Sequence, residues 1–539
     1  MSNGGTASLQ IGMVKTTTGT IQGKVYKDAN HSGVFDTGEA GVSNVWVGVT
    51  PDNGVTVLSY QYTNATGDYS LVVPTNVPPS TRAYQIMIVV PGGYYATSTT
   101  VIQPVWLSTG QLLTGKNFGV LDYQIISLTA SRVLSIASGD LYEKQGSDNA
   151  GSNARKDADI VLGADTGATD NMSVWYNQYN SNPLFTTAPS YTRDAPNSIL
   201  ALALDTLDTV SPKARLDCVT GTKLAAAGNL FVWISQNSGS NEGYFGTTYN
   251  KAYKTADNGD VQAVVTGDIA GNSTPDSPDI LAGTKSPTAN NGTIELWKSD
   301  NAATPSFTKL ETYPTVGGIP GGVMGEVTCM ALADFDGDGY KDLVIGTKTG
   351  AASGKLMFLR SNGKTAGTSR FGHAASYDAG GIVTALVPVQ SDFDTKTDVI
   401  IGVQTGVATG TLQEWTNTTT GSALSFSNTH TVTAPGVVMA LNAAELGGLP
   451  GHNDLAVGWR GDPSGYGGGV RIYYLDSGAL TSANVDPSAG YIVNMAPCLT
   501  SNNFNYGVQP SIPSPPFLTD LAAGIKKDAT TGLLVIFVR

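Results

Sequence analysis

One phrase recurs along most of this chain of 539 residues: an aspartate, three residues that are mostly apolar, and a glycine. Seven copies follow one another at intervals of between 56 and 66 residues. They begin at Asp159, Asp217, Asp279, Asp342, Asp398, Asp454 and Asp520. Such even spacing indicates a structural repeat in which each copy marks one supersecondary unit. The chain beyond about residue 121 is therefore predicted to fold as an array of similar units.

Each copy lies in a unit of about four short strands. An apolar strand that ends near an acidic residue precedes the phrase, and a strand that ends in a bulky residue such as Trp175 or Trp297 follows it. A more polar segment, such as FTKLETY or FSNTHTVT, closes the unit. Continuous apolar runs predict strands buried on both faces, whereas polar segments predict strands that face water. Four strands repeated seven times predict an all-β fold with a seven-bladed β-propeller over residues 121–539.

The seventh unit stops one strand short, because Arg539 directly follows its third strand. The segment LDYQIIS, which begins at Leu121, is predicted to supply the missing fourth strand. Pairing of this kind would join the first and last blades and remove two open sheet edges. An open array or two sandwiches is the alternative architecture.

The charge balance limits the partners that the chain can have. Only 14% of its residues are charged, and the formal net charge is −13 with no basic run. This balance argues against nucleic acid and against anionic membrane surfaces as partners. No stretch of about 18 apolar residues is present, so the sequence predicts no transmembrane segment. The first residues lack a basic region followed by an apolar one, so the numbered chain carries no recognisable export signal.

The fourth unit contains an acidic loop, DFDGDGYKD, in which alternate residues place oxygens on one side of a tight turn. Gly337 and Gly339 permit the turn, and the backbone carbonyl of the tyrosine adds a ligand. Calcium takes six to eight hard oxygens at about 2.3–2.6 Å, and it relieves the repulsion between clustered carboxylates. A solvated turn without metal is the alternative. The predicted calcium ligands of this loop are Asp334, Asp336, Asp338, Tyr340 and Asp342.

The repeats resemble the FG-GAP/VCBS family of propellers, which occurs in integrin α-subunit heads and in many bacterial surface proteins. The resemblance covers roughly Leu121–Arg539 and is strongest in ADFDGDGYKDLVIGT, from Ala333 to Thr347. It implies calcium in the acidic loop and a role at a cell surface. The recurring aspartate of the repeat phrase is expected to accept backbone N–H groups rather than to bind metal in every blade.

Residues 17–120 lack the repeat phrase and have a different hydrophobic pattern. Apolar residues alternate in GKVY, VWVGV, YSLVV and YQIMIVV, with Gly, Asn and Pro turns between them. This alternation predicts a small antiparallel β-sandwich of about seven strands. The phrases DANHSGVFDTGEAGVSNVWV, TGDYSLVV and NFGV resemble the Cna B-type and serine-aspartate-repeat B-type domains of bacterial surface adhesins.

A second candidate calcium loop lies in this segment. Its residues match positions 1, 3, 5, 7, 9 and 12 of an EF-hand-like loop, with Gly33 at position 6. Because no helices flank it, the site would make the domain rigid rather than act as a sensor. A hairpin turn without metal is the alternative. The candidate ligands are Asp28, Asn30, Ser32, Val34, Asp36 and Glu39.

Residues 1–16 form an extension in which Leu9, Ile11 and Met13 alternate with smaller or polar residues. This pattern predicts a strand outside either domain. It packs on its own sandwich or adds to the edge of a neighbouring subunit in an assembly.

No catalytic constellation is present in the sequence, so we do not expect an enzyme. We expect an extracellular calcium-binding surface protein that acts in adhesion or in surface or filament assembly. Its partner would be a protein or a glycan at a cell surface or matrix, or copies of the chain itself. One alternative is a lectin-like propeller, with Tyr466 and the pair Tyr94–Tyr95 as candidate stacking residues. The other is a polysaccharide lyase or hydrolase, whose paired carboxylates need no sequence motif.

Overall fold

The fold is given by a computed structural model. It describes residues 17–28, 33–51, 56–75, 83–89, 94–96, 98–128, 132–141, 158–166, 169–177, 185–208, 216–236, 244–270, 277–288, 290–315, 318–319, 322–363, 369–392, 394–446, 453–461, 468–475, 478–481, 495–502, 520–526 and 532–537. The chain forms two compact units that divide between Asp122 and Tyr123, and both are built from β-strands. The predicted strand in residues 1–16 lies outside the described residues, as do Asn30, Ser32 and Tyr466. Nowhere in the described ranges is there a helix of the length and apolar character needed to span a membrane.

The first unit contains two sheets. One has the strand order β3-β2-β5-β7, and the other is built from β4, β1 and β9, with β8 paired to β1 and β6 paired to β9. The strands are β1 (Thr18–Lys27), β2 (Trp46–Thr50), β3 (Ser59–Tyr62), β4 (Asp68–Pro74), β5 (Tyr84–Val89), β6 (Tyr94–Ala96), β7 (Val101–Val105), β8 (Leu112–Leu113) and β9 (Phe118–Leu128).

Alternating residues of the two sheets meet in one core. Leu71 and Val73 of β4 are buried, whereas Val72 between them is exposed, as the period of two in a strand requires. Val47 of β2 and Ile86 of β5 reach the same core from the other sheet. Burial of such side chains contributes about 1.5–3 kcal/mol each, so this shared core is what holds the sheets together.

The strand pairing of the first unit differs from the antiparallel sandwich that the sequence predicts. Val25–Lys27 of β1 pair in parallel with Phe118–Val120 of β9, and β8 is also parallel to β1. Parallel neighbours need a long connection, and the intervening strands of both sheets supply it here. Period-two alternation assigns each residue of a strand to one face of the sheet, but it carries no information about strand direction. The parallel pairing could therefore not be read from the sequence.

The second unit begins with six sheets that follow one another along the chain, and in the described residues the first five have four strands and the sixth has three. The first three sheets contain β10 (Val133–Gly139), β11 (Asp159–Ala164), β12 (Met172–Trp175), β13 (Tyr191–Arg193), β14 (Ile199–Asp205), β15 (Asp217–Ala225), β16 (Gly228–Trp233), β17 (Lys251–Tyr253), β18 (Asp260–Gly267), β19 (Asp279–Lys285), β20 (Ile294–Ser299) and β21 (Phe307–Tyr313). The next three contain β22 (Glu326–Ala333), β23 (Asp342–Lys348), β24 (Lys355–Ser361), β25 (Phe371–Asp378), β26 (Ile382–Val389), β27 (Asp398–Gln404), β28 (Gly410–Asn417), β29 (Phe426–Thr433), β30 (Val437–Ala444), β31 (Asp454–Arg460) and β32 (Gly468–Tyr473).

The repeat phrase always opens the second strand of a sheet. This strand lies between the first and third strands, and in β11, β19, β23 and β27 nearly every residue is buried. By contrast, β29 at the outer edge is exposed along most of its length. The predicted assignment of apolar runs to buried strands and polar segments to exposed strands is therefore confirmed for these sheets.

The last sheet combines strands from both ends of the second unit. It contains β33 (Met495–Asn502), β34 (Asp520–Lys526) and β35 (Gly532–Phe537). Tyr123–Leu128 of β9 pair antiparallel with Gly532–Phe537 as its fourth strand. The prediction that LDYQIIS completes the last unit is thus confirmed.

Consecutive sheets share hydrophobic cores. The first strand of each sheet contacts the first strand of the next, and β33 contacts both β30 and β10. One core contains Ile126, Leu534 and Ile536 of the last sheet together with Ile160 and Leu162 of the first sheet of this unit. The last sheet therefore packs on the first sheet as well as on its predecessor.

The glycine of the repeat phrase allows this close packing of sheets. A Cβ atom added to Gly346 would lie 2.5 Å from Cγ1 of Val383, which belongs to the next sheet. The same crowding of the repeat-phrase glycine against a β-branched residue of the next sheet recurs along the unit. No side chain larger than hydrogen therefore fits at these positions. The pairs are Gly163 with Ile199, Gly221 with Val261, Gly283 with Val327, Gly346 with Val383, and Gly402 with Val438.

Tyrosine hydroxyls form a second recurring contact between sheets. In four places the hydroxyl of a tyrosine in the outer strand accepts the backbone N–H of a phenylalanine in the next repeat unit, at 2.7–3.2 Å. Each bond satisfies a backbone donor that the sheet itself leaves unpaired. The pairs are Tyr191 with Phe245, Tyr253 with Phe307, Tyr313 with Phe371, and Tyr377 with Phe426.

Candidate metal centre

Three carboxylates converge in the loop between β22 and β23. Asp334, Asp336 and Asp338 each offer one oxygen, and these oxygens all lie within 4.8 Å of one another. Gly337 and Gly339 have φ angles of 75° and 86°, in the left-handed region that favours glycine, so the loop can turn back on itself. The alternating pattern of the sequence therefore does gather its acidic side chains.

Backbone N–H groups fix the carboxylates in place. The two oxygens of Asp334 accept bonds from Gly337 N and Gly339 N, both at 2.8 Å. Asp338 accepts a bond from Tyr340 N at 2.9 Å. A carboxylate oxygen has two lone pairs, so an oxygen that receives one N–H can still coordinate a cation.

Arg360 of β24 also contacts this cluster. Its Nε donates to Asp336 at 2.6 Å and its Nη2 donates to Asp338 at 2.7 Å. The side chain of Asp336 is only 2% exposed, so the guanidinium neutralises a charge that would otherwise be costly to bury. Sequence reasoning missed Arg360, although its position near the end of the third strand of the same unit was a usable signal.

The cluster fits a hard divalent cation. Calcium–oxygen distances of about 2.3–2.6 Å mean that two ligands of one ion are at most about 5 Å apart, and the three oxygens meet this limit. All three are anionic oxygen donors, which calcium prefers over nitrogen or sulfur. In the described part of the chain, a group of carboxylates with this spacing is found in this loop and not at Asp28, Asp36 and Glu39.

Asp342 lies at the base of the loop and has other partners. Its carboxylate accepts bonds from Phe335 N at 3.1 Å and from Ser361 N at 2.7 Å. Burial raises its pKa to about 7. The ring of Tyr340 is exposed and lies over Gly363. The structure therefore brings together three of the five predicted ligand residues, with Asp342 directed at the backbone.

Asp342 is one member of a repeated aspartate clamp, which we define as Asp159, Asp217, Asp279, Asp342, Asp398 and Asp454. All six carboxylates are buried at the start of a second strand. One oxygen accepts the N–H of the residue two positions beyond the end of the first strand. In five of the six, the other oxygen accepts an N–H of the last residue of the third strand or of the residue two positions beyond it. The predicted structural role of the recurring aspartate is confirmed for these six copies.

The second candidate loop, in the first unit, has a different geometry. The buried Asp28 accepts a bond from Gly33 N at 3.0 Å, and Glu39 accepts one from Asp36 N at 2.9 Å. The three carboxylates surround Tyr26, whose pKa is raised by burial first and then by their negative charges. Val34 is exposed, and the two remaining ligands fall outside the described residues. The calcium ligation predicted for this loop stays a prediction.

Residues 19–104 match the SdrD B-like domain family. This match confirms the resemblance of the N-terminal segment to the serine-aspartate-repeat B-type domain. Such a domain is typical of surface adhesins. No match was found among the curated proteins.

Solved structures also resemble the chain at low sequence identity. One chain of the crystal structure of BBS1N in complex with ARL6DN, soaked with lead, is 11% identical and aligns over 77% of this chain and 97% of its own length, with a TM-score of 0.43. Sqt1 from Chaetomium thermophilum is 13% identical and aligns over 77% of this chain and 98% of its own length, with a TM-score of 0.40.

Proposed function

We propose that this chain is an extracellular calcium-binding surface protein that acts in adhesion or in surface or filament assembly. The observation that carries the proposal is the SdrD B-like domain at residues 19–104. A domain of this type followed in the same chain by a large repeat unit suits a surface protein, because the repeat unit can supply a binding surface. The partner is a protein or a glycan at a cell surface or matrix, or a second copy of the chain.

The binding surface in this proposal is a seven-bladed propeller of the FG-GAP/VCBS type. The pairing of β9 with β35 and the contact of β33 with β10 support a closed ring. The core shared by the last and first sheets supports the same closure. A closed ring of sheets leaves only short edges at its outer strands, and its loops lie together at the two ends, where partners bind.

Calcium at Asp334, Asp336 and Asp338 is the second element of the proposal. Oxygen spacing and glycine conformation support it. Extracellular sites bind calcium at about 10⁻⁴–10⁻³ M, a concentration present outside cells and absent from cytosol. A bound calcium ion would neutralise the carboxylates that Arg360 now contacts, and it would hold the loop rigid.

The proposal assigns binding, and not catalysis, to the chain. The buried carboxylates of the repeats are engaged by backbone N–H groups, as in Asp279 and Asp398. Asp336 and Asp338 are engaged by Arg360. Carboxylates held in this way serve the fold or a metal ion.

Retention of coated beads tests the adhesive role. Beads that carry the full chain are passed over surfaces coated with extracellular matrix proteins, with glycans, or with the chain itself, in 1 mM calcium and in chelator. We expect retention on at least one surface, with a loss of at least fivefold in chelator. The double variant D336N/D338N should show the same loss in calcium.

D378N serves as the matched control, because Asp378 also accepts a glycine N–H in an exposed turn, from Gly380 at 3.0 Å. It should retain beads as the unmodified chain does. Absence of retention on every surface in calcium would overturn the adhesive role, and equal retention in chelator would overturn the role of calcium.

A further inference from the structure

The first unit carries an exposed aromatic face on the sheet β3-β2-β5-β7. Trp46 pairs with Tyr62 on one side and with Val89 on the other, so the three side chains form one row across the sheet. Tyr60, two residues from Tyr62, lies on the same face. Tyr60, Tyr62 and Val89 are 62%, 53% and 58% exposed. Such a group of large exposed side chains marks an interaction site.

The aromatic rings are held in place before any ligand arrives. The six-membered ring of the Trp46 indole lies against Gly48, where an added Cβ would come within 2.2 Å of a ring atom. Tyr60 stacks on Trp46 with centroids 6.1 Å apart and planes inclined by 20°. Rings fixed in this way lose little rotamer freedom on binding, which favours affinity.

The surroundings of the rings are polar but neutral. The four strands of this sheet contain no Asp, Glu, Lys or Arg. A hollow of about 320 Å³ is lined by Asn44, Trp46, Tyr62 and Val89. Its volume is at the lower end of the range for small-ligand sites. Gln85 and Gln103 add amide groups farther along the same sheet.

We propose that this aromatic face binds a neutral oligosaccharide. The C–H face of a pyranose ring stacks on the flat ring of Trp46 or Tyr62, and the amide of Asn44 bonds to ring hydroxyls. The four strands carry no charged residue, which suits an uncharged sugar. An acidic or basic ligand would find no oppositely charged side chain on these strands. This site is independent of the calcium loop and of the propeller assigned above.

Titration of the full chain with neutral hexasaccharides of glucose, mannose and galactose tests the proposal, with affinity measured by calorimetry. We expect at least one hexasaccharide to bind with Kd below 1 mM. Y60A/Y62A should weaken this binding at least tenfold, whereas Y60F/Y62F, which keeps both rings, should change it less than threefold. W106A is the matched control, because Trp106 is equally exposed, at 61%, and lies outside the four strands. It should leave the affinity unchanged.

Three results would overturn the proposal. The first is the absence of binding to every hexasaccharide, and the second is an equal loss in W106A and in Y60A/Y62A. A rise in molar mass with concentration that Y60A/Y62A abolishes would assign the face to self-association instead. D336N/D338N should bind the hexasaccharide normally, so failure of the calcium proposal leaves this test intact.

Discussion

Asp279 has a buried carboxylate that receives three backbone N–H groups. One oxygen accepts bonds from Ile269 N and Ala270 N, at 3.0 and 2.6 Å, and the other accepts a bond from Ser299 N at 3.0 Å. The side chain thus ties the loop after the first strand to the end of the third strand. At the residue scale, this clamp is what the repeat phrase encodes.

Removal of the clamp should destabilise the second unit. Asp279→Ala leaves three buried N–H groups without an acceptor, and we expect a loss of about 2–4 kcal/mol in the free energy of unfolding. Urea unfolding followed by tryptophan fluorescence measures it. Asp300→Ala is the control, since that exposed carboxylate accepts bonds from Ala302 N and Ser306 N in a surface turn. A loss below about 1 kcal/mol is expected there, and equal losses in both variants would contradict the clamp.

Asp217 should make stability depend on pH. Burial is the main cause that raises its pKa to about 7, and the charge of Asp208 adds to the effect, while N–H bonds from Ser235 and Leu207 oppose it. Its pKa in the unfolded chain is about 3.9. The folded state therefore holds a proton that the unfolded state has released, and this stabilisation falls as pH rises from about 4 to about 7.

Denaturant unfolding at pH 5.5 and pH 7.5 measures the effect. The unmodified chain should lose about 1–2 kcal/mol more than Asp217→Asn between these pH values, because the amide imitates the protonated acid and does not titrate. An identical pH dependence in the two proteins would show that Asp217 keeps an ordinary pKa.

At the element scale, consecutive sheets pack closely because the glycine of the repeat phrase leaves room for a side chain of the next sheet. Gly346→Ala would bring its Cβ within 2.4 Å of Cys329 Sγ and 2.5 Å of Val383 Cγ1. Both neighbours are on strands that cannot move apart without loss of packing, so we expect a destabilisation of about 1–3 kcal/mol. Gly372→Ala is the matched control, because its Cβ would meet only the side chain of Asn362, at 3.5 Å. Thermal unfolding of both variants tests the contact, and an unchanged melting temperature for Gly346→Ala would refute it.

The sequence predicted the elements better than the contacts between them. Apolar runs and polar segments identify buried and exposed strands because burial acts on each strand locally. The tyrosine–phenylalanine bonds were not predicted, although Tyr253, Tyr313 and Tyr377 recur at nearly the period of the repeat. Nothing in the local sequence says which neighbour a hydroxyl will reach. Arg360 lies 24 residues from Asp336, so the signal for it was its position in the repeat unit and not a local pattern.

At the scale of the whole molecule, the acidic loop should couple calcium to stability. With Kd of about 0.1 mM, 1 mM calcium adds about 1.4 kcal/mol to the folded state. Equilibrium dialysis should find one calcium ion fewer per chain in D336N/D338N than in the unmodified protein. The melting temperature of the second unit should rise by about 1–2 °C in calcium, and this rise should be absent from the variant. Equal calcium content in the two proteins would place the ion elsewhere.

The sheet made from β9 and β33–β35 has a consequence for biosynthesis. Tyr123–Leu128 of β9 precede every other described strand of the second unit and β35 follows them, so β35 leaves the ribosome only after some four hundred further residues have been translated. Until then the backbone N–H and C=O groups of Tyr123–Leu128 lack the partner strand β35 and can pair with another polypeptide instead. Nascent polypeptides of this protein should therefore depend on chaperones throughout their elongation, and prematurely terminated products should precipitate.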